Sequence, residues 1–148
     1  MLIGIPRIVS PELMVVLMEM GHGDELVIGD ANFPAHSVAR ASGGRVVRAD
    51  AACAAELLDA ILALMPLDGA VQASVLGMAG PAAPSAAHEA FRGVLARHGY
   101  GPDGMALLSK ADFYQRARHG YAVLATGEPR RFANLILRKG VITDAEKT

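Results

Sequence analysis

The stretch that decides the fold is Gly21-His22-Gly23-Asp24-Glu25-Leu26-Val27-Ile28-Gly29-Asp30-Ala31-Asn32-Phe33-Pro34-Ala35-His36. Its centre, residues 26–28, is a short continuous apolar run, which is typical of a strand buried on both faces of a sheet. A histidine precedes this run and an aspartate follows it, each among glycines or small residues. Because histidine titrates near neutral pH and a carboxylate accepts hydrogen bonds from hydroxyl groups, the stretch indicates proton transfer on a small polyhydroxy molecule.

Helical patterns alternate with apolar runs along the rest of the chain. The predicted helices cover residues 11–20, 33–39, 51–65, 85–98 and 110–118, and the predicted strands cover residues 26–28, 45–48, 70–76, 106–108, 121–125 and 134–137. This alternation predicts one α/β domain over residues 1–148, with three α/β/α layers and a largely parallel sheet. No helix separates the last two strands, so we expect them to pair antiparallel. The polar tail from Thr143 is expected to fray.

Composition narrows the class of protein. Of the 148 residues, 52% are hydrophobic and only 20% are charged, which favours a chain that buries surface in a homo-oligomer. The net charge is −1 and no basic cluster is longer than Arg130-Arg131, so we expect no nucleic-acid partner. No apolar run approaches a membrane span and no signal peptide is visible, so we expect a cytoplasmic protein without a membrane partner.

Four further residues receive structural interpretations. Cys53 is the only cysteine, which excludes an internal disulfide, and its Ala-rich surroundings predict a small buried core residue. His88, His98 and His119 lie in polar helix or turn contexts and are predicted to be solvated.

His22 and Asp30 are the first candidates for a functional site. Asp30 follows an apolar run that is predicted to be a central strand, and open α/β sheets bind ligands beyond the carboxyl ends of their strands. Each residue also has a purely structural interpretation. His22 would be a turn histidine bonded to backbone, and Asp30 would be a cap for the next helix. Asp24 is interpreted as a turn residue or cap.

Asn134 is a third candidate, because an amide at the head of a buried strand can donate to and accept from sugar hydroxyls. A metal site is the alternative use of the polar residues near Asp30, with the set His22, Asp24, Asp30 and His36. It is disfavoured, because no histidine pair has the i, i+4 spacing of a zinc-binding helix and no cysteine supports it. The chain has no phosphate loop, dinucleotide fingerprint or Gly-x-Ser-x-Gly elbow, which disfavours kinase, dehydrogenase and serine hydrolase functions.

These motifs together resemble the RbsD/FucU family of sugar mutarotases. The resemblance rests on residues 10–13, 21–25, 29–37, 113–117, 126–128 and 132–141, in order along nearly the whole chain. Phe33-Pro34-Ala35-His36-Ser37 is closer to the fucose branch than to the ribose branch.

The resemblance implies a cofactor-free isomerase without a metal that interconverts the α and β anomers of a free monosaccharide. L-fucose is the first candidate, ribose the second, and another aldose or ketose the third. It also implies a ring-shaped homo-oligomer, a decamer, with active sites near subunit boundaries. His22 matches the catalytic proton-transfer residue, and Asp30 and Asn134 match substrate-binding positions. Lys110 stands where relatives have Arg or His, and Phe132 stands where relatives carry Tyr, so its ring can pack on the sugar without the phenolic hydrogen bond.

Three other functions compete with this interpretation. A non-catalytic sugar-binding or transport-accessory protein would use Asp30 and Asn134 but not His22. A metal-dependent hydrolase or lyase would use His22, Asp30 and His36. A structural oligomer would use the apolar composition for assembly alone.

Overall fold

The computed structural model describes residues 1–144, which form a six-stranded sheet covered by five α-helices. The strands are Glu25–Gly29 (β1), Val46–Ala49 (β2), Val75–Met78 (β3), Met105–Leu108 (β4), Ala122–Thr126 (β5) and Leu135–Arg138 (β6). The helices are Pro11–Glu19 (α1), Ala35–Ala39 (α2), Ala54–Leu62 (α3), Ala86–Arg97 (α4) and Lys110–Ala117 (α5). The tail predicted to fray lies largely on residues 145–148, outside the described part.

The strand order in the sheet is β2-β5-β1-β6-β3-β4. The pairs β1–β5, β2–β5 and β3–β4 are parallel, whereas β6 is antiparallel to both β1 and β3. The prediction of a largely parallel sheet is therefore confirmed. The predicted antiparallel pair of the last two strands is wrong, because β5 pairs with β1 and β2 while β6 inserts on the other side of β1.

Strand β1 lies at the centre and is buried on both faces. Leu26, Val27 and Ile28 are each 0% exposed. Side chains alternate across a strand, so Leu26 and Ile28 join a core with α1, α3 and α4, whereas Val27 joins a second core with α2 and α5. This arrangement confirms the three α/β/α layers.

Several element boundaries differ from the predicted ones for local reasons. Helix α3 starts at Ala54 rather than residue 51, because Glu56 Oε2 accepts a hydrogen bond from the Cys53 N–H and makes Cys53 the cap. Strand β3 starts at Val75 rather than residue 70, because Asp68 Oδ1 accepts a bond from the Ala70 N–H and turns the chain.

The structure corrects the prediction for Cys53. Its side chain is exposed at the start of α3 rather than packed in the core. Partial desolvation of the thiol by its neighbours, together with the charges of Glu128 and Glu56, raises its pKa, which disfavours a reactive thiolate. Within residues 1–144, none of the helices has both the length and the apolar character needed to cross a membrane.

Gly29 is the position where the end of β1 needs a residue without a side chain. A Cβ at Gly29 would lie 2.6 Å from the Phe33 ring, which packs over the end of the strand. We expect Gly29→Ala to lower the free energy of unfolding by about 1–3 kcal/mol, because a buried ring at this distance has to shift. Urea denaturation measures this change.

Gly93 provides the matched control, because it is a helical glycine in α4 with no atom within 4 Å of an added Cβ. Gly93→Ala is expected to raise the free energy of unfolding by roughly 0.5–1 kcal/mol. If Gly29→Ala and Gly93→Ala changed the free energy of unfolding equally, the close approach of Phe33 to Gly29 would be contradicted.

Candidate functional site

Two polar clusters lie at opposite ends of β1. His22 comes three residues before the strand and Asp30 comes directly after it. An extended strand rises about 3.3 Å per residue, so five residue steps from Glu25 to Asp30 separate the two ends by roughly 16 Å. Within one protomer, His22 and Asp30 therefore belong to different sites.

The cluster at the carboxyl end of β1 surrounds a cleft of about 150 Å³. We call it the aspartate cleft; its lining residues are Asp30, Asn32, Phe33, Met78, Lys110, Tyr114, Arg131, Phe132 and Asn134. The structure thus brings together four of the five predicted site residues and leaves out His22. The cleft has the expected place in an α/β sheet, outside the carboxyl ends of β1 and β3.

The reversed direction of β6 explains why Asn134 reaches this cleft. Asn134 directly precedes β6, and β6 starts at the edge where β1 and β3 end. Asn134 Oδ1 accepts a hydrogen bond of 2.7 Å from the Asp30 N–H, and both residues are buried. The amide is therefore held in one orientation beside the carboxylate.

Asp30 is only 6% exposed, and this burial raises the pKa of its carboxyl group. The backbone N–H groups of Asn32, Phe132 and Ala133 and the Asn134 side chain act in the opposite direction and lower it. The Asn32 N–H donates to Asp30 Oδ1 over 2.9 Å. A carboxylate oriented in this way has acceptor capacity left for the hydroxyl groups of a ligand.

Aromatic rings form the apolar wall of the cleft. The rings of Phe33 and Tyr114 stack with centroids 5.4 Å apart and planes 4° from parallel. Phe132 has a φ of 60°, a conformation uncommon outside glycine, and its ring lies against Gly80, where an added Cβ would be 2.9 Å away. Such a wall suits the C–H face of a small ring compound, and the polar residues of the cleft are able to bond to its hydroxyl groups.

Sequence reasoning missed some of the residues that line the cleft, among them Tyr114, Met78 and Arg131. A signal for Tyr114 was present, because it follows Lys110 by four positions and such residues share one face of a helix. Lys110 itself is exposed at the first position of α5. The guanidinium of Arg131 lies 5.4 Å from the Phe132 ring centroid, and no local pattern predicted that contact.

The second cluster lies at the amino end of β1, and we call it the histidine cluster: His22, Asp68, Arg138 and Glu25. His22 Nε2 lies 3.3 Å from Asp68 Oδ2, and the side chain of His22 is 51% exposed. Arg138 Nε donates to the same Asp68 oxygen over 2.9 Å. An imidazole oriented by a buried carboxylate, with one face open, can accept and return a proton.

Asp68 is a residue that the sequence analysis did not single out. Its side chain is 4% exposed. The Ala70 N–H, followed by the side chains of Arg138 and His22, holds its pKa below the usual range. The sequence shows Asp68 only as a carboxylate in the turn after α3. No sequence pattern indicates that this turn lies beside His22 in the fold.

The residues considered for a metal site do not gather in one protomer. His22 and Asp24 lie at the amino end of β1, and Asp30 and His36 lie beyond its carboxyl end. Asp24 Oδ2 accepts a hydrogen bond of 2.7 Å from the Gly21 N–H, which confirms its interpretation as a turn residue. Over residues 1–144, no group of three or more His, Cys, Asp or Glu side chains is arranged to hold a metal ion.

The other histidines differ from one another. His119 is exposed, as predicted. The prediction of a solvated side chain is wrong for His88, which is 0% exposed, and for His98, which is half-buried with its Nε2 2.8 Å from Asp59 Oδ1. His88 bonds to Met78 and His98 bonds to Asp59, and both partners lie on other elements of the fold. The polar sequence around the two histidines therefore did not indicate their burial.

The lowered pKa of Asp68 generates a test of the histidine cluster. The folded state binds a proton on Asp68 less readily than the unfolded chain does, so this carboxylate stabilises the fold above about pH 4. The contribution is lost as pH falls through the folded-state pKa. We expect the melting temperature of Asp68→Asn to fall less between pH 5 and pH 3 than that of the unsubstituted protein, measured by calorimetry.

Asp103→Asn is the control, because Asp103 is an exposed residue in a short 3-10 turn. Its melting temperature should follow that of the unsubstituted protein at each pH. An Asp68→Asn profile with the same acid dependence as the control would contradict the pairing of Asp68 in the histidine cluster.

The chain is similar to known proteins over nearly its whole length. Residues 3–142 match the RbsD/FucU transport protein family. The fucose mutarotase of Homo sapiens is 40% identical over 147 residues, covering 94% of this chain and 93% of that protein.

Two solved structures are also similar to the chain over nearly its whole length. The fucose mutarotase from Streptococcus pneumoniae, crystallised with L-fucose, has a TM-score of 0.88 and 41% identity, covering 96% of this chain and 100% of that chain. FucU from Bifidobacterium longum has a TM-score of 0.89 and 42% identity, covering 95% and 99%. With a fold and a sequence that match from end to end, this chain belongs to the RbsD/FucU family.

Proposed function

We propose that this protein is a fucose mutarotase, an isomerase that interconverts the α and β anomers of L-fucose. The observation that carries the proposal is the aspartate cleft, where residues 104 positions apart, Asp30 and Asn134, are hydrogen-bonded next to an aromatic wall. The similarity to fucose mutarotases over nearly the whole chain supports the same activity and the same sugar. Ribose is the second candidate, and another aldose or ketose is the third, because Phe132 lacks the phenolic hydroxyl expected in the family and Lys110 replaces the expected Arg or His.

The reaction moves two protons and breaks one bond reversibly. The anomeric hydroxyl loses its proton, the ring oxygen gains one, and the bond between the anomeric carbon and the ring oxygen opens to a free aldehyde. The aldehyde carbon rotates and the ring closes on its other face, so no atom or electron is gained or lost. Mutarotation also occurs slowly in water, so acid–base catalysis of about 10²–10⁴-fold is sufficient for an enzyme.

In this mechanism the aspartate cleft binds and orients the sugar. Asp30 accepts hydrogen bonds from sugar hydroxyls. Lys110 donates hydrogen bonds to other hydroxyls of the sugar, and the Asn134 amide both donates to and accepts from them. The rings of Phe33 and Phe132 cover the apolar face of the sugar. None of these contacts needs a cofactor.

His22 is the proposed proton-transfer residue. Its Nε2 faces Asp68, so an Nε2–H group donates a hydrogen bond to the carboxylate. The unprotonated Nδ1 is then available to take the proton of the anomeric hydroxyl. The ionised Asp68 then stabilises the imidazolium that forms.

Because His22 and Asp30 lie at opposite ends of β1, we propose that a neighbouring subunit completes each site. The His22 of one copy would enter the aspartate cleft of the next, a head-to-tail contact that closes into a ring, and the family resemblance favours a decamer. Large exposed apolar side chains support self-association: Met1, Leu2, Ile3, Val15, Met18, Val141 and Ile142.

NMR exchange spectroscopy of α and β L-fucose tests this function. The protein is expected to accelerate exchange of L-fucose more than exchange of D-ribose. His22→Gln should lower the catalysed rate by roughly 10²–10⁴-fold while L-fucose still binds, because the cleft residues remain. Asp30→Asn should instead weaken L-fucose binding, measured by titration.

His98→Gln is the control, because His98 pairs with Asp59 and belongs to neither the aspartate cleft nor the histidine cluster, so this variant should keep the unsubstituted rate. Equal rates for His22→Gln and the unsubstituted protein would overturn the role of His22. Binding of L-fucose without accelerated exchange would instead identify a sugar-binding protein.

A further inference from the structure

His88 is a buried histidine that the proposed mechanism does not use. It is 0% exposed and occupies the third position of α4. Its Nδ1 lies 2.9 Å from the Ser85 N–H, and its Nε2 lies 3.0 Å from the Met78 carbonyl oxygen. A backbone N–H only donates and a carbonyl only accepts, so these partners select the neutral imidazole with its proton on Nε2.

The two partners of His88 stand at the two ends of one loop. Met78 is the last residue of β3, Ser85 is the cap of α4, and residues 79–84 connect them. The imidazole therefore joins both ends of this loop. The Ala79 N–H, which donates to the Leu108 carbonyl over 2.8 Å, fixes the same end of the loop to β4.

The same loop supports one wall of the aspartate cleft. Met78 lines the cleft, its N–H donates to the Asn134 carbonyl over 3.3 Å, and its Sδ lies 3.6 Å from Asn134 Nδ2. Gly80 packs directly against the ring of Phe132. A change at the base of the loop would thus move both an apolar contact and the orientation of Asn134.

We propose that His88 is a positioning residue of the aspartate cleft, whose neutral imidazole joins the ends of the 79–84 loop and so holds Met78 and Phe132 in the geometry that binds sugar. The effect on sugar binding rests on the proposed function. The bridge between the loop ends does not.

Helix capping alone does not account for a histidine at this position. In α3 the equivalent residue is Glu56, which accepts from the Cys53 N–H, the usual arrangement of a capping box. A glutamate would cap α4 equally well but would offer no donor to the Met78 carbonyl. An imidazole supplies an acceptor on one side and a donor on the other.

The surroundings of His88 keep the imidazole neutral. Burial lowers its pKa, and the charge of Arg92 on α4 lowers it further, while the Met78 carbonyl and Glu89 act in the opposite direction. A protonated ring would also direct an N–H at the Ser85 N–H and leave that donor without its acceptor.

Two substitutions of His88 with different hydrogen-bonding capacity test this role. His88→Leu removes both bonds, and we expect it to raise the KM for L-fucose by roughly tenfold with a smaller change in kcat, because sugar contacts are lost and His22 is untouched. His88→Gln retains one acceptor and one donor and is expected to recover most of the affinity.

Glu56→Ala is the matched control, because it removes the corresponding capping contact of α3 without touching the cleft. It is expected to lower thermal stability and leave KM unchanged. A folded His88→Leu protein with an unchanged KM would overturn the proposal, as would an equal rise of KM in Glu56→Ala.

NMR of the protein without sugar separates this proposal from the proposed function. The ¹⁵N shifts of His88 should show an unprotonated Nδ1 and a protonated Nε2, and the Met78 methyl and Phe132 ring signals should move in His88→Leu. A protein that neither binds nor converts L-fucose, but shows these signals, would contradict only the proposed function. The opposite tautomer, or unmoved Met78 and Phe132 signals, would contradict the bridge.

Discussion

The burial of β1 on both faces is the constraint on which the rest of the structure depends. A strand enclosed by two helical layers has room only for apolar side chains, and Leu26, Val27 and Ile28 meet this requirement. Polar side chains are therefore excluded from the middle of the strand and appear at its two ends. His22 and Asp30 are close in sequence but a full strand apart in space, and this separation is why we propose that a neighbouring subunit completes each site.

Strand β6 reaches both polar ends of β1, and its antiparallel direction decides which end of β6 lies at which cluster. Asn134, just before β6, lies beside Asp30, and Arg138, at its other end, pairs with Asp68 next to His22. The register places Arg138 opposite Glu25. A parallel strand at this position would have brought Asn134 to the histidine cluster instead, so the direction of β6 determines which residues each site contains.

The sequence predicted the elements of the fold better than their partners. The apolar run of β1 and the helical patterns of α1, α3 and α4 are local signals, and the structure confirms each of these elements. The pairing of β6 with β1 and β3 depends on competition between strands that are distant in sequence. No local pattern records that competition, so an antiparallel pair of the last two strands was the natural but wrong expectation.

The sequence likewise predicted those site residues that have local signals, but not those that depend on contacts across the fold. Asp30, Lys110, Phe132 and Asn134 were predicted and gather in one cleft. Asp68 was not singled out and His88 was wrongly predicted to be solvated, because their contacts, with His22 in one case and with Met78 in the other, form only in the folded chain. Cys53 was misplaced because a capping position exposes a residue whose neighbours in sequence are apolar.

The central claim is that each active site joins the His22 of one subunit to the Asp30 of another, and subunit mixing tests it most directly. His22→Gln and Asp30→Asn proteins, each of low activity, are unfolded together, refolded and assayed for L-fucose exchange. Random assembly should restore roughly a quarter of the unsubstituted activity, because that share of sites receives an intact residue from each parent. Activity no greater than the average of the separate parents would contradict a site shared between subunits.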